Sequence, residues 1–162
     1  VVLEDGQRME TKKGLTVEVI AAPGHTWDST AYFIREMKIL VAGEAAGCDG
    51  VCEFLVDHEA YGASIKRLAG LDVEVLCTAH NFIFTGPDVR TNMTRSIRQV
   101  GEYVVQVKRY LKEEKGDVDR VVARVKTAEW DEKPLPKQPL EAYLINTQTR
   151  VRTIRKHMAN SS

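Results

Sequence analysis

Cysteine is scarce in this sequence. There are three thiols in 162 residues, an odd number without the dense pairing of a disulfide framework. That scarcity predicts free thiols and a reducing, cytoplasmic setting. An excess of either charge is missing as well: Lys plus Arg and Asp plus Glu each number 23, so no global field draws the chain toward nucleic acid or an acidic membrane surface. No apolar run reaches the roughly 20 residues of a membrane-spanning helix, and no signal peptide opens the chain. Internal repeats and low-complexity tracts are lacking too. The initiator methionine is also absent: the chain starts Val1-Val2, which predicts a processed product or a piece of something longer. With nucleic-acid and membrane classes set aside, 43% hydrophobic residues remain, ordinary for a globular domain able to bury a sizeable core.

Two regions of different character follow one another. Residues 1–86 read as mostly strand. Leu15, Val17 and Val19 alternate with Thr16 and Glu18, and "TAYFIREMKILVAG" is a pair of apolar runs around Arg35 to Lys38, the pattern of a hairpin. "DHEAYGASIKRLAG" predicts a helix with Asp57 as N-cap, Tyr61, Ile65 and Leu68 on its inner face, and Gly70 past its end. "LDVEVLCTAH" is a short buried strand running into His80, and Cys77 reads as one of its buried residues. Residues 87–162 read as a helical extension packed on the first region. Pro87 suits a first helical position, and Val89, Met93, Ile97, Val100, Val104, Val107 and Leu111 step along one stripe as far as Gly116. "DVDRVVARVKT" predicts a shorter helix, "DEKPLPKQP" a proline-rich linker, and the stripe Leu140, Leu144, Thr147, Val151, Ile154, Met158 a last helix.

Chemistry concentrates at three strand ends. In "APGHTWDST", Pro23 holds Ala22 extended and Gly24 permits a tight turn, so His25 sits on a loop at the end of a strand. Glu44 in "LVAGEAAG" and His80 in "LCTAHN" occupy the same setting among small residues. Any one of the three alone is more readily a structural residue. Together, two imidazoles and a carboxylate are the donors that zinc, iron or manganese take. Other residues have plainer readings. Cys48 and Cys52, four apart and far from Cys77, lack the paired pattern of a zinc ribbon. His58 decorates a helix start, and the basic end Arg150 to His157 complements its own helix dipole.

The order strand, "PGHT", hairpin, "GE", helix, strand, "AH" resembles the C-terminal half of the metallo-β-lactamase superfamily. There the "PGHT" histidine, an acidic residue in "GD" and a histidine after a strand match His25, Glu44 and His80. "LEDGQRME" resembles the strand pair that precedes this half, and "TGPDV" resembles the entry to the helix after the last ligand, so the likeness covers Leu3 to Val89. It implies an α/β (α+β) fold, half of an αββα sandwich, followed by the helical C-terminal region. It further implies a metal-dependent hydrolase carrying one or two zinc ions, with iron or manganese as alternatives. A metal-activated water would attack an ester, thioester, amide or similar bond of a small-molecule substrate. His25 would serve one metal, His80 the other and Glu44 both, with Thr26 and Asn81 ordering the surrounding loops.

Three departures from that family stand in the sequence. The "HxHxDH" motif of its first half is absent, Glu44 replaces the usual aspartate, and "WDS" replaces the commoner Pro-Gly-Ser after "PGHT". A half-sandwich would leave one sheet face uncovered, so the reading predicts either the missing N-terminal half bound in trans or a homo-oligomer. The alternative from another class is a non-catalytic helical interaction module that retains a degenerate half of the hydrolase fold.

Overall fold

The computed structural model describes residues 2–47, 53–132 and 138–160. Cys48, Cys52 and most of the proline-rich linker therefore lie outside the described residues. Among the described residues six strands form a single sheet in sequence order: β1 (Arg8–Glu10), β2 (Thr16–Ala21), β3 (Thr30–Ile34), β4 (Ile39–Gly43), β5 (Val75–Thr78) and β6 (Ile83–Thr85). All neighbours are antiparallel except β4 and β5. A parallel pair needs a crossover, and α1 (His58–Ala69) lies within that connection. The α/β architecture expected from the sequence is thus present.

The registers separate the two faces of the sheet, because directly paired residues share a face. Glu18, Phe33, Leu40, Leu76 and Phe84 form one continuous row. With Ile20 and Ala31 they belong to the face that packs with Leu68 of α1 and with Val89 and Met93 of the next helix, α2 (Pro87–Glu113). On the other face, Met9, Val17, Ile34, Ile39 and Val75 form one row and Val19, Tyr32, Val41, Cys77 and Ile83 a second. This face is apolar yet partly open: Val41 is 42% and Ile83 66% exposed. Cys77 lies here, half-buried, rather than in the core as the sequence suggested.

The predicted hairpin around Arg35 to Lys38 forms through a single 3-10 turn, Arg35–Met37, closed by Lys38 in the left-handed region (φ 53). Asp57 caps α1 by accepting from the backbone N–H groups of Glu59 and Ala60. Gly70 ends that helix in the right-handed region (φ −79), not as a left-handed cap. His58 stands at the helix start, as expected, and is buried there with its ring tilted against Phe54. The hairpin joining β5 to β6 was not foreseen, because three exposed or half-exposed residues, Ile83 to Thr85, carry too little pattern to register as a strand.

Two compact units divide the chain, Val1–Val100 and Gly101–Ser162. The boundary falls inside α2, where the apolar stripe runs on without a break. In the second unit Val107, Val121, Val125, Val151 and Ile154 are fully buried between the rest of α2, α3 (Val118–Lys126) and α4 (Leu140–Asn160). Asp117 caps α3. Arg150, at the beginning of the basic end, has a packing role that the sequence did not show. It is buried on α4, with its guanidinium over the Tyr103 ring at 5.3 Å. No described helix is long and apolar enough to cross a membrane.

Candidate metal centre

The antiparallel pairing of β2 with β3 and of β3 with β4 points β2, β4 and β5 the same way, so their C-terminal ends share one edge of the sheet. His25, Glu44 and His80 each follow one of those ends. The structure brings all three together. Glu44 presents one carboxylate oxygen 2.5 Å from Nε2 of His25 and the other 3.5 Å from Nε2 of His80. His25 is the sheltered member, whereas the His80 side chain is 61% exposed.

Each loop has a local reason for its path. Gly24 adopts φ +132, and a Cβ there would lie 2.4 Å from the backbone N and Cα of Tyr61. Only glycine lets the "PGHT" loop approach α1 so closely. The Gly24 carbonyl accepts from the N–H groups of Leu55, Val56 and Asp57, which ties the segment before α1 onto the same loop. Gly43, also at positive φ, turns the chain after a register shift between β4 and β5, so Glu44 leaves the strand and projects over its end. Ala79 N–H donates to the Gly43 carbonyl at 2.9 Å, fastening the His80 turn to the Glu44 turn. His80 and Asn81 occupy the two centre positions of the β5–β6 turn at φ 59 and φ 65, the double left-handed geometry of a tight hairpin. Asparagine and histidine are both among the non-glycine residues enriched in that region.

Helix α1 joins two of these loops from the buried side. The Tyr61 hydroxyl donates to the Glu44 carbonyl at 3.1 Å, and the Ser64 hydroxyl donates to the Pro23 carbonyl at 2.8 Å. Sequence reasoning gave Tyr61 to Leu68 only a packing role. Nothing local marks the second role of Tyr61, since its partner is 17 residues away in the chain. Thr26 orders the His25 loop: its N–H donates to Ser29 Oγ at 3.0 Å, and the two hydroxyls lie 2.8 Å apart. Its hydroxyl also holds the exposed Asp28 carboxyl below the usual carboxylate range.

The donor set suits a divalent cation. Nδ1 of His25 lies 2.5 Å from the main-chain carbonyl of Glu53. A carbonyl can only accept, so Nδ1 carries the hydrogen and Nε2 is the nitrogen turned toward Glu44. An imidazole oriented in this way through its other nitrogen is the arrangement found for metal-ligating histidines. Imidazole nitrogen and carboxylate oxygen are accepted by zinc, iron and manganese alike. Glu53 itself was not foreseen as a neighbour of the site; the His25 hydrogen bond to its carbonyl and the Gly24 hydrogen bonds just beyond it hold it there.

No protein-family model matches the chain. A probable metallo-hydrolase, YflN, of Bacillus subtilis (strain 168) is 33% identical over 92 residues, covering 46% of this chain and 35% of that protein. A lactamase-like protein, vrtG, of Penicillium aethiopicum is 35% identical over 81 residues, covering 50% of this chain and 26% of that protein. Among solved structures, a metallo-β-lactamase family protein from Thermus thermophilus superposes with a TM-score of 0.67 at 19% identity, over 97% of this chain and 49% of that one. A β-lactamase domain protein from Burkholderia ambifaria superposes with a TM-score of 0.66 at 14% identity, over 94% of this chain and 45% of that one. The chain spans about a third or less of the curated relatives it matches and about half of the solved ones. By its sheet order and these superpositions the chain has the fold of the metallo-β-lactamase family structures, and in sequence it is similar to part of a metallo-hydrolase and part of a lactamase-like protein.

Proposed function

We propose that this chain supplies part of the metal site of a metal-dependent hydrolase, with His25, Glu44 and His80 as ligands. One observation carries the reading: a single carboxylate, Glu44, faces the Nε2 atoms of two histidines that reach it from different strand ends. Zinc is the first expectation for one or two ions, with iron or manganese as alternatives. A bound divalent cation would act as a Lewis acid toward a carbonyl or ester oxygen and would acidify water at neutral pH. The chain's own residues do the rest. Glu53 fixes the tautomer of His25 through its carbonyl, Tyr61 fixes the turn bearing Glu44, and the hairpin turn presents His80 at the open side. The substrate class is a small molecule with an ester, thioester, amide or similar bond. Glu44 replaces the family's aspartate and reaches one methylene further, and in this structure that reach places its two oxygens toward two different imidazoles.

The apolar face bearing Val41 and Ile83 supports a second element of the proposal. It is the surface on which the remainder of an αββα sandwich, or a second copy of this chain, would pack, since exposed contiguous apolar area is costly in water. Metal analysis of the chain beside His25→Ala and His80→Ala tests the ligand assignment. The expected result is bound zinc, iron or manganese in the parent and a loss of at least tenfold in affinity in each variant. Equal, negligible metal in all three would leave the non-catalytic module as the better reading.

A further inference from the structure

We infer that Glu53 is a further ligand of the same cation, which makes the donor set of this chain two carboxylates and two imidazoles. The inference rests on the site proposed above and adds to it a residue that no sequence motif marks. Glu53 is 8% exposed, and buried carboxylates are paired or coordinate metals. One ligand atom each from Glu44, Glu53 and His80 lie within 4.8 Å of one another. Ligands that share one ion through bonds of about 2.0–2.2 Å stand roughly 3–4.4 Å apart, so small side-chain rotations close the group around a single cation. Two carboxylates at this spacing repel each other, and a divalent cation between them turns that repulsion into binding.

The position of Glu53 is determined from two sides. Its main-chain carbonyl receives Nδ1–H of His25. Just beyond it, the N–H groups of Leu55, Val56 and Asp57 all converge on the Gly24 carbonyl. The residue that orients one histidine through its backbone therefore brings its side chain to the other histidine and to Glu44. A donor set half composed of carboxylate oxygen moves preference toward harder ions, manganese(II) and iron(II), relative to a set dominated by imidazole.

Titration of the chain with manganese(II), followed by electron paramagnetic resonance, tests this apart from any activity. Glu53→Gln keeps the main-chain carbonyl and the side-chain volume, so it leaves His25 oriented. The expected result is a manganese(II) affinity at least ~10-fold weaker for Glu53→Gln, about 1.4 kcal/mol, with a comparable or larger loss for His80→Ala. Glu53→Asp, which keeps the charge and draws it back by one methylene, is expected to fall between parent and Glu53→Gln, and it decides the matter if the amide variant does not fold. Parent-like binding by Glu53→Gln alongside weakened His80→Ala overturns the Glu53 assignment and leaves the site standing. Parent-like or absent binding in every variant and the parent alike overturns both.

Discussion

Gly24→Ala is the sharpest test of how the site is built. Two costs add. A non-glycine residue at φ +132 sits in a region that costs of order 1–3 kcal/mol. The new methyl also falls 2.4 Å from the Tyr61 backbone, and helix backbone cannot yield locally. The loop must instead retreat from α1. Retreat loosens the carbonyl that receives Leu55, Val56 and Asp57 N–H at 3.1, 3.1 and 3.3 Å, a loss of about 1 kcal/mol for each bond broken outright. The sum is roughly 3 kcal/mol or more, a large share of the 5–15 kcal/mol of an ordinary domain. Urea unfolding of the parent and variant chains reads it directly, as a lower midpoint at unchanged slope. Because the same loop carries His25 and anchors the Glu53 segment, metal affinity should fall as well, under conditions where the variant is still folded. A destabilisation below about 1 kcal/mol would refute the reasoning, for it would mean that the loop stands off α1 and that the glycine of "PGHT" serves some other purpose.

Tyr61→Phe removes the hydroxyl that donates to the Glu44 carbonyl; the expected cost is about 1 kcal/mol by urea titration, and an unchanged midpoint would argue against α1 as the brace of that turn. Asp57→Ala deletes the cap that receives Glu59 and Ala60 N–H and should lower stability by about 1 kcal/mol, whereas Asp57→Asn should lower it much less. Asp5 offers a pH test: the Arg67 guanidinium and the Ala21 N–H hold its carboxyl below the ordinary value. A carboxylate whose folded pKa is lowered contributes stability above its unfolded pKa and loses it as pH falls through the folded one. The stability gap between parent and Asp5→Asn should therefore be present near neutrality and close in acid, and a gap independent of pH in equilibrium unfolding would exclude this pairing.

Much of the fold was legible because its signals are local. Asp57 announces a helix start, since a short side chain can reach its own helix N–H groups only from the cap position. The stripe from Val89 to Leu111 announces a helix because one period places every third or fourth side chain inward. "PGHT", Glu44 and His80 could be picked out as strand-end donors, because alternation marks where each strand stops. Their convergence could not be. It depends on β2, β4 and β5 running the same way, on Gly24 meeting Tyr61, and on Ala79 meeting the Gly43 carbonyl, all contacts between residues distant in the chain. Glu53 had no signal at all, since what makes it notable is burial beside two other donors, and burial is a property of the assembled chain. The burial of His58 against Phe54 and of Arg150 over Tyr103 was likewise out of reach of the sequence, since each aromatic ring meets its partner only through packing. The sequence by itself determined most of the helices and strands, though not the strand Ile83–Thr85, and which residue types could bind a metal. Only the tertiary structure decided which of those residues face one another, because a binding site is a matter of distances through space, and covalent connectivity constrains those weakly beyond a few residues.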